Sequence, residues 1–408
     1  MDSSIILTYA IPVFLLLIII EFLYGVMKGN NNYRLNDALT SLSLGLISRF
    51  IPLLGLGFQY VVYKYVAEYY NLKLLNLEEI WVWVFAFILY DICYYWMHRI
   101  HHEVKVFWAT HVVHHHGEEY NLATALRQTS SGFLWKWVFF LPMFIIGVPP
   151  EVYVSVAGVN LVYQFWVHTE HVGRLGFLEY IIITPSNHRV HHAQNEDYLD
   201  ANYGGVFILW DRIFGTFIDE RKDLKPVYGT VKPLKSFNPF WANIEVFYQM
   251  ALDSYRTKKL KDKFYVWFSR PGWRPDDVNE KYPVKKNDLS SFEKYDPQIS
   301  NKQKMFGFFQ FTMINALTVI MLFNMDKFSY SEMLSIAALV VTLAISNSFM
   351  LDGKKYANKV EIFRLFGVLI FLYFGFFTSF IYLILPHTII TFMIILFLSR
   401  DNNYSLAS

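Results

Sequence analysis

The chain has 408 residues, of which 54% are hydrophobic and only 17% charged, with a mean hydropathy of +0.27. A soluble domain is roughly a quarter charged, so this composition excludes both an ordinary soluble globule and a disordered chain. A net charge of +2 is too small for a nucleic-acid partner, and the single cysteine, Cys93, excludes a disulfide or a thiolate cluster and leaves thirteen histidines as the stock of metal donors.

A spanning helix needs about 20 mostly apolar residues. Residues 5–27 form the first such run, with Glu21 near its end as the only charge. No basic leader or small-residue cleavage site accompanies it, so it reads as an anchor and not a removed signal. Residues 37–69 are too long for one straight span, and Pro52, Gly55 and Gly57 are expected to break or tilt them. A third run, 80–97, ends directly on His98. A hairpin of two apolar runs follows, 132–148 and 152–167, turning at Pro149 and Pro150.

Residues 168–305 hold no span and carry basic stretches such as Arg256 to Lys263. Runs at 306–323, 331–350, 363–384 and a short 388–399 close the chain, with no charges expected at their centres. No repeat of 20–50 residues is visible. The pattern predicts an all-α, multi-pass integral membrane protein. Four segments are expected: membrane helices at 1–79, a core at 80–220, a cap or linker at 221–305 and membrane helices at 306–408. Placing the basic loops 28–36, 98–131, 168–305 and 352–362 in the cytoplasm is consistent through every hairpin, because the opposite loops carry only Lys73 and Lys327. The histidine-rich stretches then share the cytoplasmic face. A Lys/Asn/Ile-rich style points to a bacterial inner membrane; an animal source would imply the endoplasmic reticulum.

Twelve of the thirteen histidines lie between positions 98 and 192. On a helix, residues i, i+3 and i+4 share a face. His98 and His102, then His111, His114 and His115, then His188, His191 and His192 are therefore three convergent sets totalling eight imidazoles. Eight nitrogens exceed what one ion takes and suit two ions of three to five ligands each; imidazole alone leaves iron, zinc and copper open. Asp91 stands one helical face from His98. It either accepts a ring N–H from a ligand or bonds to neighbouring Tyr hydroxyls. Glu103 and Glu170 sit close enough to the clusters to serve as ligands, bases or solvated charges.

The boxes HxxxH, HxxHH and HxxHH resemble the fatty acid hydroxylase / sterol desaturase superfamily, membrane enzymes with a non-haem di-iron centre that use dioxygen on lipid C–H bonds. The flanks Glu119–Gln128, Tyr163–Glu170, Thr184–His192, Asn202–Tyr203, Trp210–Phe217, Val227–Gly229 and Pro271–Trp273 look like its alkylglycerol monooxygenase branch. The resemblance covers about residues 80–275 and extends more loosely to the C-terminal spans. It implies two irons, dioxygen as co-substrate and tetrahydrobiopterin or a related pterin as reductant. The implied reaction is hydroxylation beside the ether oxygen of a 1-O-alkylglycerol or lyso-ether lipid, giving a fatty aldehyde and a glycerol derivative. By the branch pattern His168 becomes a ninth ligand. Arg127 and Gln128 would bind a head group or the pterin, and Tyr228 and Trp273 would stack or hydrogen-bond with it, unless all four serve interfacial packing. Asn187 departs from the pattern, standing where a histidine is expected, and His101, His116 and His171 are extras that are not assigned as ligands. Two alternatives share some features: a hydroxylase or desaturase of a sterol, carotenoid or fatty acyl lipid, and, remotely, a metal transporter, which the uncharged C-terminal spans disfavour. The oligomeric state is not legible.

Overall fold

A computed structural model describes residues 3–56, 59–76 and 78–404. It is all-helical: among the described residues only the isolated bridges Ile182–Phe207 and Ala193–Tyr228 pair as strands do. In chain order the helices are α1 (Ser3–Met27), α2 (Leu35–Ser48), α3 (Phe50–Leu53), α4 (Gln59–Tyr69), α5 (Ile80–Glu103) and α6 (Lys105–His115). There follow α7 (Leu122–Ala125), α8 (Lys136–Ile146), α9 (Pro150–Trp166), α10 (Pro185–His191), α11 (Leu209–Phe214) and α12 (Pro239–Arg256). The last six are α13 (Leu260–Phe268), α14 (Asp276–Lys281), α15 (Asn301–Phe323), α16 (Tyr330–Leu351), α17 (Ala357–Tyr373) and α18 (Ile381–Tyr404). Among the described residues four stretches are long and apolar enough to cross a membrane: Ile80–Glu103, Asn301–Phe323, Tyr330–Leu351 and Thr378–Ser399.

The chain forms two compact units. The first comprises residues 1–33, 55–234 and 243–293; the second comprises 34–54, 235–242 and 294–408. The expected break of the 37–69 run falls between them, where α3 ends and Gly55 takes a left-handed φ of 63°; Gly57 lies outside the described residues.

In the first unit α5 is the axis, packed by α6, α8 and α9 around Ala86, Met143, Val152 and Val156. It runs past the expected end at Met97, so His98 and His102 lie one turn apart on continuous helix. The expected hairpin is shorter than a span. At 11 residues α8 is only about 16 Å long, ending where Gly147 adopts φ 107°, and α9 has 17 residues. Helix α1 joins this unit through its one charge. Glu21 is buried and accepts hydrogen bonds from the Leu122 N–H (2.8 Å), Thr169 Oγ1 (2.5 Å) and the Tyr33 hydroxyl.

In the second unit α15 and α16 pack on each other and on α2, with Ile314, Leu317, Val340 and Leu343 at the centre. Both start in reciprocal capping boxes, Ser300 with Gln303 and Ser329 with Glu332. The reversal between α17 and α18 falls at 374–380, where Gly375 and Phe377 take positive φ, and not at 385–387 as expected. Pro386 instead sits inside α18. Ionisable groups stand in the last helices. Arg364, near the middle of α17, is held by Glu361 (Nε–Oε2 3.0 Å, Nη2–Oε1 2.5 Å), and His387 of α18 is buried.

Candidate metal centre

Helix α6 starts after a single residue, Val104, and folds back against α5, bringing the second histidine box beside the first. His168 stands two residues past the end of α9. Helix α10 is set by a capping box in which Asn187 Oδ1 accepts from the Thr184 N–H and Oγ1 (3.1 and 3.0 Å). Asn187, where a further histidine was expected, thus orients the helix that carries His188, His191 and His192.

These elements gather the nine imidazoles into two groups. His98, His102, His111, His115 and His191 form one; His114, His168, His188 and His192 form the other. Within each group one ring nitrogen per residue lies within 4.8 Å of every other. In the first, His111 Nε2 is 3.0 Å from His98 Nε2 and 3.1 Å from His115 Nε2. In the second, His168 Nε2 is 3.2 Å from His114 Nε2 and 3.1 Å from His188 Nε2. Donors held about 2.1 Å from one ion lie roughly 3 Å apart when adjacent and about 4 Å apart when opposite, so the spacing fits one ion per group. The groups share a wall, His115 stacking on His192 and His188 on His191 (centroids 4.4 and 5.2 Å).

The outer nitrogens fix which lone pairs face inward. His98 Nδ1 meets the Tyr203 carbonyl (2.9 Å), His191 the Ala201 carbonyl (2.9 Å), His114 the Arg127 carbonyl (3.0 Å) and His168 the Gln164 carbonyl (2.7 Å). A carbonyl only accepts, so each Nδ1 carries the proton and each Nε2 presents a lone pair. His114 and His168 therefore aim two lone pairs at each other across 3.2 Å, which only a cation between them reconciles. A proton is disfavoured there: burial lowers the His168 imidazole to about 3 and, with His168 beside it, holds His114 well below its usual range. Burial likewise depresses His111, His115, His188 and His192, each further lowered by its imidazole neighbours, and brings His191 to about 4. His102, His191 and His192 keep buried Nε2 atoms with no hydrogen-bond partner. No carboxylate joins either group among the described residues, so the donor set is neutral imidazole throughout.

The remaining sequence candidates fall outside the groups. Asp91 neither accepts from a ligand ring nor bonds to tyrosines. It is fully buried, and its two oxygens accept from Asn160 Nδ2 (2.8 Å), the Val206 N–H (2.8 Å), the Phe207 N–H (3.0 Å) and Trp210 Nε1 (2.9 Å). Glu103 pairs with Arg99 one turn back (2.9 Å) and is a quarter exposed. The Arg127 guanidinium donates to the Val113 carbonyl (2.9 Å) and Gln128 to the Ala125 carbonyl (3.1 Å), so both brace the turn after the second box. Trp273 packs beside Val266 and Tyr265, its carbonyl accepting from Lys105 Nζ. Glu170 comes nearer, through a ladder of rings. It accepts from the Tyr228 hydroxyl (3.1 Å); Tyr228 stacks on Tyr120 (4.8 Å, 15°), and Tyr120 lies against His192 (5.3 Å) and His168 (5.6 Å). Of the extra histidines, His101 Nδ1 bonds to the Met97 carbonyl (2.6 Å) and His171 lies edge-on to Tyr24, both outside the groups, as is His116.

Two tyrosines escaped the sequence reading. Tyr120 walls the four-membered group, and the Tyr203 ring lies 5.3 Å from His102 and 5.9 Å from His98 and His191, with a buried hydroxyl that has no partner. Both stand in the flanks Glu119–Gln128 and Asn202–Tyr203 that carry the resemblance, which assigned neither a role.

A model of the fatty acid hydroxylase family matches residues 83–216, the stretch that holds all nine imidazoles. The chain is 36% identical to the alkylglycerol monooxygenase of Homo sapiens over 380 residues, 90% of this chain and 82% of that one. It is 36% identical to that of Xenopus tropicalis over 353 residues (86% and 78%) and 34% identical to that of Danio rerio over 372 residues (90% and 82%). No solved structure matches it.

Proposed function

The chain belongs to the alkylglycerol monooxygenase family, membrane oxidoreductases that act on lipids, and on that premise we propose that it cleaves the ether bond of 1-O-alkylglycerol lipids with dioxygen as co-substrate and a tetrahydropterin as reductant. The observation that carries the reading is the pair of facing lone pairs on His114 and His168, with close Nε2–Nε2 approaches around His111 (3.0 and 3.1 Å) in the other group. His98, His102, His111, His115 and His191 would hold one iron, and His114, His168, His188 and His192 the other. Iron bound there would supply the reduction of dioxygen and the oxidation of a substrate C–H bond.

The rest falls to the chain. Four backbone carbonyls hold imidazoles in register, so the donors need not reorganise when charge builds up. With no protein carboxylate in the donor set, two divalent cations would keep their full charge and the oxidant would be strongly electrophilic. The buried Tyr203 hydroxyl is the available donor beside the five-membered group. Half-buried Glu170 accepts from the Tyr228 hydroxyl, and through the stack of Tyr228 on Tyr120 it holds the ring that walls the four-membered group. In the net reaction one oxygen atom enters the carbon beside the ether oxygen, and the other leaves as water as the tetrahydropterin gives up two electrons and two protons. The hemiacetal then parts into a fatty aldehyde and a glycerol derivative. The basic loops support a cytoplasmic site, in a bacterial inner membrane or the endoplasmic reticulum, where a soluble reductant has access.

The test is aldehyde release from a 1-O-alkylglycerol by purified, iron-loaded protein in oxygen, with and without tetrahydrobiopterin. Aldehyde formed only with the pterin supports the proposal. None from protein holding two irons per chain overturns ether cleavage and leaves hydroxylation or desaturation of a sterol, carotenoid or acyl chain as the reading to test.

A further inference from the structure

Helix α13 is pinned on one face and bare on the other. Inward, Val266 is fully buried against Ala109 of α6 and Met250 of α12. Trp267 Nε1 donates to Ser254 Oγ (3.0 Å) and Lys263 Nζ to the Ser254 carbonyl (2.8 Å). Outward, Leu260, Phe264 and Phe268 recur every fourth residue and are 70%, 68% and 67% exposed, with Tyr255 at 83% just before them. Three large apolar side chains in one exposed row are costly in water and mark an interaction surface.

Two observations identify what covers the row. Between Arg256 and Lys263 five basic residues face one acid, Asp262, and Lys258, Lys259 and Lys261 are all exposed. Two acids of α14 stand beside this stretch, Asp276 at 3.8 Å from Lys259 Nζ and Asp277 accepting from the Lys258 N–H (2.9 Å), so the five basic residues still outnumber the three acids near them. The second observation is height. Ser269, next after α13, accepts at its carbonyl from the Lys105 N–H (2.8 Å), and Lys105 stands two residues beyond Glu103, where the spanning helix α5 ends. The far end of α13 is thus tied to the end of a helix long and apolar enough to cross a membrane.

We propose that the outer face of α13 docks on an anionic phospholipid surface, with Leu260, Phe264 and Phe268 entering the boundary between head groups and acyl chains and Lys258, Lys259 and Lys261 meeting lipid phosphates. This surface is separate from the metal centre and does not depend on the reaction assigned to it. Because Val266 packs on the helix that carries His111, His114 and His115, docking sets the height of those imidazoles above the lipid.

The test uses the full chain in nanodiscs with nitroxides on F264C, F268C and, as an exposed control outside α13, K222C; the native Cys93 is buried. Accessibility to oxygen and to a water-soluble nickel chelate is read in phosphatidylglycerol-containing and in pure phosphatidylcholine discs. Labels on F264C and F268C that favour oxygen and exclude nickel in the anionic discs support the proposal. The K258E/K259E/K261E variant should then lower the docked-to-undocked ratio roughly 100-fold, three basic groups at about fivefold each. A label on F264C as open to nickel as one on K222C in anionic discs overturns it. So does spin–spin broadening confined to discs with two copies, which would make the row a contact between chains.

Discussion

Replacing Asp91 by asparagine separates a structural carboxylate from a catalytic one. Each oxygen of Asp91 takes two donors: Oδ1 from Asn160 and the Val206 N–H, Oδ2 from the Phe207 N–H and Trp210. An amide keeps one acceptor and turns the other into an NH2 group, so either orientation leaves two buried donors facing a donor. At about 1–3 kcal/mol for each orphaned group, Asp91→Asn costs about 2–6 kcal/mol, a large part of a folding margin of about 5–15 kcal/mol. The damage reaches the metal through residues 203–207, since the Tyr203 carbonyl that fixes His98 lies three residues before Val206. The D91N protein, purified in detergent, should show an apparent Tm lower by on the order of 10 °C and reduced iron content. A D91N protein with wild-type Tm and iron but no turnover would refute this reasoning and make Asp91 a reacting group.

Removing one imidazole should empty one group and spare the other. H168A is expected to lower the metal content from about two ions per chain to about one, and H102A to do the same at the other group, as measured by elemental analysis; loss of both ions from either variant would contradict the two-group division. Burial holds His191 at about 4, against about 6.5 in an unfolded chain. Between those values only the unfolded chain binds the proton, so the metal-free protein loses stability as pH falls from about 6.5 to about 4. Bound metal, which needs neutral imidazole, moves that loss to lower pH; thermal melts across the range read both, and a Tm that rises on acidification would contradict the sign. E103Q removes a quarter-exposed pair one helical turn apart and should change stability by less than about 0.5 kcal/mol with iron content intact; iron loss would return Glu103 to the site.

The histidine spacing was readable because a helix turns sequence intervals into faces, and each box lies on one helix or at its end. The division five and four was not readable, because it splits the second box: His111 and His115 go one way and His114 the other. That choice depends on where α9 and α10 bring His168 and His192. The carbonyl anchors left no trace either, since Ala201 and Gln164 act through backbone oxygens that every residue has. Asp91 was noticed as a charge in an apolar helix, but its partners lie 69 to 119 positions away in sequence. Helix ends failed where the deciding feature was a φ angle: Gly375 and Phe377 turn the chain inside the expected 363–384 run, and α18 continues through the gap before 388.

Glu21 ties the first helix to the surroundings of the four-membered group. Its carboxylate holds Leu122 and Thr169, the latter directly after His168, and Asn32 donates to the Tyr120 carbonyl (2.7 Å). The N-terminal segment is therefore not modular. A chimera with a generic apolar helix in place of residues 3–27 keeps all nine imidazoles and still inserts, but it lacks the carboxylate that ties the loops around His168 and Tyr120. Such a chimera should lose the ion of the four-membered group first, and restoring a single glutamate at position 21 should bring it back.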